Sequence, residues 1–306
     1  MTDTIYIIGS GAIGKALAVS LVLAGRKVVL LRGSVDDGSS QTEEIEMVLA
    51  DQEKLVARVS VSTFSNFAAL DGIIVFANKS YGNERLAASL AKKTGRSPLV
   101  ILQNGLGVEE AFIDHHYPEV YRCVLFATSL VVSTNQVRFK PVAVSPIGPI
   151  QGNAVRLGTI VGQLDSPHFR FRAEANIQPV IWKKAIANCV FNSICPLLDT
   201  DNGIFHRDAS ALEMANEVIA ECLLIAREQG ILLKAGEITE SLLSISRFSD
   251  GQLISTLQDI RQKRETEIDT LNFAIVRMAR TLNKEELVQK TRLLGELTRL
   301  KAALNR

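Results

Sequence analysis

The chain has 306 residues, 34 basic against 33 acidic side chains, and 47% hydrophobic content. That balance gives no electrostatic footprint for nucleic acid or an anionic membrane surface, and no apolar run reaches membrane-spanning length. The length suffices for two domains with sizeable cores. Cys123, Cys189, Cys195 and Cys222 lack C-x-x-C or other metal-ligand spacing. They read as small apolar core residues of a reducing compartment. With no basic leader at the N-terminus, the expected location is cytoplasmic.

The first stretch organises the rest. Ile5-Tyr6-Ile7-Ile8 is a β-prone run that enters Gly9-Ser10-Gly11-Ala12-Ile13-Gly14. A helical pattern follows to Gly25, and then a second apolar run, Val28 to Leu31. The order strand, glycines, helix, strand is the context in which Gly-x-Gly-x-x-Gly signifies dinucleotide binding. The first glycine makes the turn, the second lets backbone approach a pyrophosphate, and the third lets helix pack on strand. The pyrophosphate then rests on free N–H groups at the positive end of the helix. NAD-binding units place an acid at the end of the second strand, about twenty residues on. Arg32 occupies that position, followed by Gly33 and Ser34, and the next acid is Asp36. A carboxylate repels a 2′-phosphate whereas a guanidinium pairs with it, so NADPH/NADP+ is the expected cofactor. The plainer alternative for Arg32 is a solvated charge at a strand end.

Gly33 to Gln41 reads as a loop, and Val56 to Thr63 alternates as a half-buried strand does. Gly72 to Ala77 and Leu99 to Leu102 are continuous apolar runs typical of central parallel strands, separated by a helical segment ending at Leu90. Lys79 and Asn104 follow these strands, at the ends where ligands bind; each is equally an ordinary post-strand lysine or turn asparagine. Cys123 to Val132 reads as one further strand. From Gln136 to Phe171, short strands and Gly/Pro turns suggest an antiparallel edge closing the first domain. Beyond Arg172 the pattern is helical, so the expected domains are 1–172 and 173–306. The fold class is α/β: a dinucleotide-binding, Rossmann-type N-terminal domain and a mostly α-helical C-terminal one.

Asn176 to Cys195 reads as a helix whose apolar residues, from Val180 to Ile194, cover most of its circumference. Lys184, Asn188 and Asn192 recur every four residues and drift by only about 80°, forming one polar stripe. Such groups on a buried helix are costly unless partnered, which marks a candidate site. The alternative is that Lys183 and Lys184 snorkel to solvent while the asparagines satisfy backbone. Further on, Glu267 and Asp269 precede an apolar helical face, where acids of a first turn suit the dipole and Thr266 or a neighbour could cap it.

These features together resemble the ketopantoate reductase (2-dehydropantoate 2-reductase) family, from Ile5 to about Met278. The resemblance rests on Gly9 to Gly14, Arg32, Lys79, Gln103-Asn104-Gly105-Leu106-Gly107, Trp182-Lys183-Lys184, Asn188-Cys189, Asn192, Asn202-Gly203 and Thr266-Glu267-Ile268-Asp269. It implies that Lys184 is the general acid that protonates a ketone oxygen and that Glu267 orients cofactor and lysine. Asn188, Asn192, Ser255 and Gln252 would form the substrate site, with Lys79 and Asn104 on the cofactor. The chemistry agrees, because a nearby ammonium stabilises and quenches charge developing on a carbonyl oxygen. Gln252 stands where the family has Asn, Phe273 where it has Gly, and Leu287 to Leu304 looks like an added helix. The implied activity is NADPH-dependent reduction of a small 2-keto acid, foremost 2-dehydropantoate. Gln252 motivates a D-2-hydroxyacid dehydrogenase as the alternative within that chemistry, and a non-catalytic NADPH-binding sensor is the alternative outside it. The apolar C-terminal helices could serve a homodimer or the core.

Overall fold

The computed structural model describes residues 3–33 and 35–306; Ser34, read above as part of a loop, lies outside the described residues. The chain divides into two compact units, one of residues 1–103 and 108–177, the other of residues 104–107 and 178–306.

The first unit is built on a single sheet. Its elements in chain order are β1 (Thr4–Ile8), α1 (Ala12–Leu23), β2 (Val28–Leu31), β3 (Gln41–Val48), β4 (Lys54–Ser62), β5 (Gly72–Phe76), α2 (Asn83–Leu90), β6 (Leu99–Ile101), α3 (Glu110–Asp114), β7 (Val120–Cys123), β8 (Ala127–Ser133), β9 (Gln136–Pro141), β10 (Ser145–Gln151), α4 (Leu157–Leu164) and β11 (Phe171–Ala173). Strand order is β11-β10-β7-β6-β5-β1-β2-β4-β3-β9-β8. From β7 to β4 all neighbours are parallel. The chain leaves β1 toward β2 and β4 on one side and returns through β5 and β6 on the other. The β1/β5 boundary is therefore a topological switch point, where open α/β sheets bind ligands beyond the strand ends.

Period-2 side-chain alternation gives this sheet two cores. Ile5, Ile7, Leu30, Val61, Ile73 and Val75 pack with Leu17 and Leu21 of α1. Tyr6, Ile8, Leu31, Ile74 and Phe76 pack with Leu86 and Leu90 of α2 and Phe112 of α3. Both faces are buried, which is why the central strands are continuously apolar.

The periphery departs from the sequence reading. The run Cys123 to Val132 is two strands, β7 and β8, lying near opposite edges of the sheet. The expected antiparallel edge is likewise divided. β9 pairs β3 in parallel and β8 in antiparallel fashion at one edge. At the other edge β10 runs antiparallel to β7 and parallel to β11, with α4 as the crossover. Gly158 and Gly162 weaken the helical signal of α4, and its first turn is uncapped by any side chain. β3 was not foreseen, because Thr42, Glu43, Glu44 and Glu46 crowd a strand whose buried side is Ile45 and Met47.

The second unit is helical: α5 (Gln178–Leu197), α6 (Ile204–Arg207), α7 (Ala209–Glu228), α8 (Ala235–Phe248), α9 (Ser255–Arg261), α10 (Asn272–Thr281) and α11 (Gln289–Leu304). α5 packs against α7, α8, α9 and α11, which accounts for its near-complete apolar circumference. The four cysteines are buried thiols. Burial pushes the Cys195 thiol up to about 12, and contact with Cys222 together with burial raises that of Cys189.

Candidate functional site

In the first unit the glycine turn is fixed by close approach. Gly9 has φ +110°, and a Cβ there would stand 2.6 Å from the Asn78 backbone nitrogen. A Cβ on Gly14 would lie 1.9 Å from the Gly9 carbonyl oxygen, so helix and turn touch through bare backbone. Gly11 differs: nothing lies within 4 Å of its Cβ position. It is the N-cap of α1, extended at φ −75° and ψ −173°, with no side-chain cap and no acid in the first turn. Ser10, Ala12 and Ile13 around it are half-buried. A helix start with no side-chain cap and open space beside its N-cap residue is what an anion requires.

A further group was missed by the sequence reading. Asn78, two residues past the end of β5, donates to the Lys79 carbonyl at 2.8 Å, while its buried Oδ1 has no hydrogen-bond partner. A buried orphan acceptor is costly, and beside a glycine turn it suits a ligand donor. The same strand-end rule that singled out Lys79 could have found it. Lys79 itself is half-buried and caps a short 3-10 turn, Ser80–Gly82.

Arg32 follows β2, with its backbone N–H on the Ser62 carbonyl. Its guanidinium donates to Ser39 Oγ at 2.7 Å and to Glu43 Oε1 at 3.2 Å. Asn66 pins the preceding loop through the carbonyls of Gly38 and Ser39 and through Ser62 Oγ.

The root of the Gln103 to Gly107 motif is held by buried polar groups. Asn83 and Gln103 exchange side-chain amide bonds at 2.7 and 2.8 Å, and Asn83 also donates to the Val108 carbonyl at 2.7 Å. Arg122, 2% exposed, forms a buried ion pair with Glu109.

In the second unit Asn104 to Gly107 is seated on the turn that follows Glu267. Gly105 has φ +101° and its Cβ position is 2.5 Å from Thr270, while the Leu106 N–H donates to the Thr270 carbonyl at 2.8 Å. Glu267 is half-buried and precedes a 3-10 turn, Ile268–Thr270, that packs against α5. Its carbonyl accepts both the N–H and the hydroxyl of Thr270 at 3.1 Å. The helix expected near Thr266 begins only at Asn272. Asp269 is exposed and paired with Arg299.

Lys184 and Asn188 lie half-buried on one face of α5, and Asn192 is 3% exposed. Asn192 Oδ1 accepts from Thr256 Oγ1 at 2.8 Å, Ser255 Oγ at 3.2 Å and the Thr256 N–H at 3.4 Å. Its Nδ2 donates to the Asn188 carbonyl at 3.1 Å. One side chain thus ties exposed Ser255, 63 residues away, to the Lys184 face. Gln252 is exposed in the turn before α9, and its carbonyl accepts the Asn202 N–H at 2.9 Å. That turn is locked from below. Asp201 accepts two bonds from Arg207 at 2.9 Å and the N–H groups of Gly203 and Gly251 at 2.7 and 3.2 Å. The Arg207 guanidinium, chiefly, holds the Asp201 carboxyl below its ordinary value.

The chain is similar to known proteins along nearly its whole length. A 2-dehydropantoate 2-reductase of Pyrococcus abyssi is 27% identical over 92% of both chains. A D-mandelate dehydrogenase solved with NADH and anilino(oxo)acetate aligns at TM-score 0.84 and 20% identity, over 99% of each chain. A dimeric ketopantoate reductase from Staphylococcus aureus aligns at TM-score 0.80 and 18% identity, over 99% of this chain and all of that one. At such identities the two solved structures establish the fold. The model of the ketopantoate reductase PanE/ApbA family matches residues 5–151, and that of its C-terminal domain matches 176–301. α11 up to residue 301 is accordingly part of the family domain, not the addition that the sequence suggested. With both models matched in order along nearly its whole length, the chain belongs to the ketopantoate reductase PanE/ApbA family of oxidoreductases.

Proposed function

We propose that the protein reduces 2-dehydropantoate to (R)-pantoate with NADPH, Lys184 serving as general acid. The observation that carries this reading is the hydrogen-bonded set on α5, in which Asn192 joins the Lys184 and Asn188 face to Ser255. A binding module has no need of a lysine and two asparagines on a helix buried on nearly every side. The 27% identity to a named 2-dehydropantoate 2-reductase over 92% of both chains supports the substrate.

The residues of the first unit fit a nicotinamide dinucleotide. Gly11 leaves room for a pyrophosphate against the uncapped start of α1, and the Asn78 oxygen supplies an unpaired acceptor. Gly9, Ser10, Gly11, Ala12, Ile13 and Gly14 would hold the phosphates, Arg32 a 2′-phosphate, and Lys79 the remainder; Asn104, which belongs to the second unit, is the further cofactor contact that the family resemblance implies. When bound, NADPH supplies the hydride for the ketone carbon.

Lys184 gives a proton to the ketone oxygen as negative charge grows there, which contributes typically about 10²–10⁴-fold to such a step. Glu267 orients that ammonium, while Asn188 and Ser255 hold the substrate by hydrogen bonds. Asn192 acts through them: its amide oxygen is already occupied by α9, so its part is to fix Ser255. Gln252 supports a second reading within the same chemistry, a D-2-hydroxyacid dehydrogenase for another branched 2-keto acid. An amide longer by one methylene moves a hydrogen-bonding group enough to alter discrimination by about 1–3 kcal/mol.

The test is oxidation of NADPH by the purified protein with 2-dehydropantoate and with other branched 2-keto acids, against NADH controls. Substrate-dependent oxidation with 2-dehydropantoate supports the first reading. Activity confined to another 2-keto acid replaces it with the second, and NADPH binding without turnover of any of them overturns both.

A further inference from the structure

Arg32 is already engaged. Its guanidinium shares Glu43 and Ser39, and the Arg32 and Glu43 side chains are only 25% and 16% exposed. Gln41 Nε2 donates to the same Glu43 oxygen at 2.7 Å, which fixes the carboxylate in place. Ser39 in turn donates its hydroxyl and N–H to Asp37 Oδ1 at 2.5 and 2.9 Å, and these bonds hold the Asp37 carboxyl below its ordinary value. Asp36 accepts the Ser65 N–H at 2.8 Å. The Lys93 amino group, the other cation acting on this loop, is committed to the carbonyls of Phe64 and Phe67 at 3.1 and 2.7 Å. Among the described residues, Arg32 and Lys93 are set against the carboxylates of Glu43, Asp37 and Asp36.

A guanidinium that reads a phosphate does so with its donor fork. Here part of that fork rests on a carboxylate, so a 2′-phosphate, carrying about −1.5 to −2 charges, must displace it or tolerate it. The residue at the end of β2 says NADP(H). An acid, the residue type that at the end of β2 would say NAD(H), is nevertheless beside it, delivered from β3, two strands away in the sheet.

We propose that Glu43 is a specificity-determining residue: as the resident counter-ion of Arg32 it competes with the 2′-phosphate and restrains the preference for NADP(H) over NAD(H). The proposal rests on the reading above that Arg32 is the 2′-phosphate ligand. Its effect is exerted on binding and needs no turnover to be seen.

The experiment titrates NADPH and NADH separately into the parent protein, Glu43→Gln, Glu43→Ala, Arg32→Gln and the Glu43→Gln/Arg32→Gln double variant, followed by calorimetry. Thermal melting of each variant confirms folding. Glu43→Gln and Glu43→Ala should each tighten NADPH about three- to tenfold relative to NADH, the size expected for one charged contact. That gain should vanish when Arg32 is also replaced, because the two residues act as a unit. An unchanged NADPH/NADH ratio in both folded Glu43 variants, with Arg32→Gln still weakening NADPH, overturns the proposal and leaves the Arg32 reading standing. An equal gain with Arg32 absent overturns it too, since Glu43 would then act as a general field. If Arg32→Gln leaves both affinities untouched, the reading itself falls and takes the proposal with it.

Discussion

The two units build their candidate sites from different materials. In the first, the cradle is mainly backbone, the glycine turn and the uncapped end of α1, joined by one asparagine side chain, all at the ends of adjacent parallel strands. In the second, the site is side chains on a packed helix, held by a tether from α5 to α9. Backbone built by local spacing tolerates sequence drift, provided the glycines remain. A tether of side chains 63 residues apart depends on every partner. The difference teaches where substitutions should act on binding, where on chemistry and where on stability.

The largest expected effect divides chemistry from binding. Lys184→Ala should lower turnover by about 10³-fold while NADPH titration stays near the parent affinity. A variant with near-parental turnover would remove Lys184 from the acid role. Within the cradle, the glycines can be separated from each other. Gly9→Ala, forced against the Asn78 backbone at positive φ, should cost at least about 2 kcal/mol in urea unfolding. Gly11→Ala, with open space at its Cβ, should change stability by less than about 1 kcal/mol yet weaken dinucleotide binding. Equal stability losses at both positions would erase the distinction between a packing glycine and a binding one.

Asn192→Ala tests the tether. It leaves the α9 N-terminus without its acceptor, and about 1–3 kcal/mol of stability should be lost. Thr256→Val, which keeps the Ser255 bond, should lower turnover less than Asn192→Ala does. The smallest effect concerns the turn beneath Gln252. The Asp201 carboxyl is held below its ordinary value of 3.8 by Arg207, so its contribution is complete above that pH and is lost as pH falls through the depressed native value. Melting temperatures of Asp201→Asn and the parent should therefore differ at neutral pH and converge in acid once the pH has fallen below the depressed native value. A difference that persists there would assign the effect to packing.

Some of this was legible in the order of residues. Gly9 to Gly14 and the apolar runs at Ile5, Val28, Gly72 and Leu99 are each decided by neighbours a few residues away along the chain. The strands and the cradle could therefore be read directly. The stripe Lys184, Asn188, Asn192 was readable for the same reason, since helical period alone puts them on one face. The partners of those groups were not readable. Arg32 looks like a lone cation until β3 brings Glu43 beside it, and the acid-rich β3 conceals itself because its burial is one-sided. Asn192 looks like a substrate contact until α9 takes up its amide oxygen.

The sequence by itself marked a polar stripe on a buried helix and a glycine turn of the kind that receives a dinucleotide, because both depend on local period and on glycine's missing side chain. Tertiary structure alone decided which of those polar groups are already spoken for. Hydrogen bonds and ion pairs join residues by distance in space, and no spacing along the chain records that Glu43 reaches Arg32 or that Ser255 reaches Asn192.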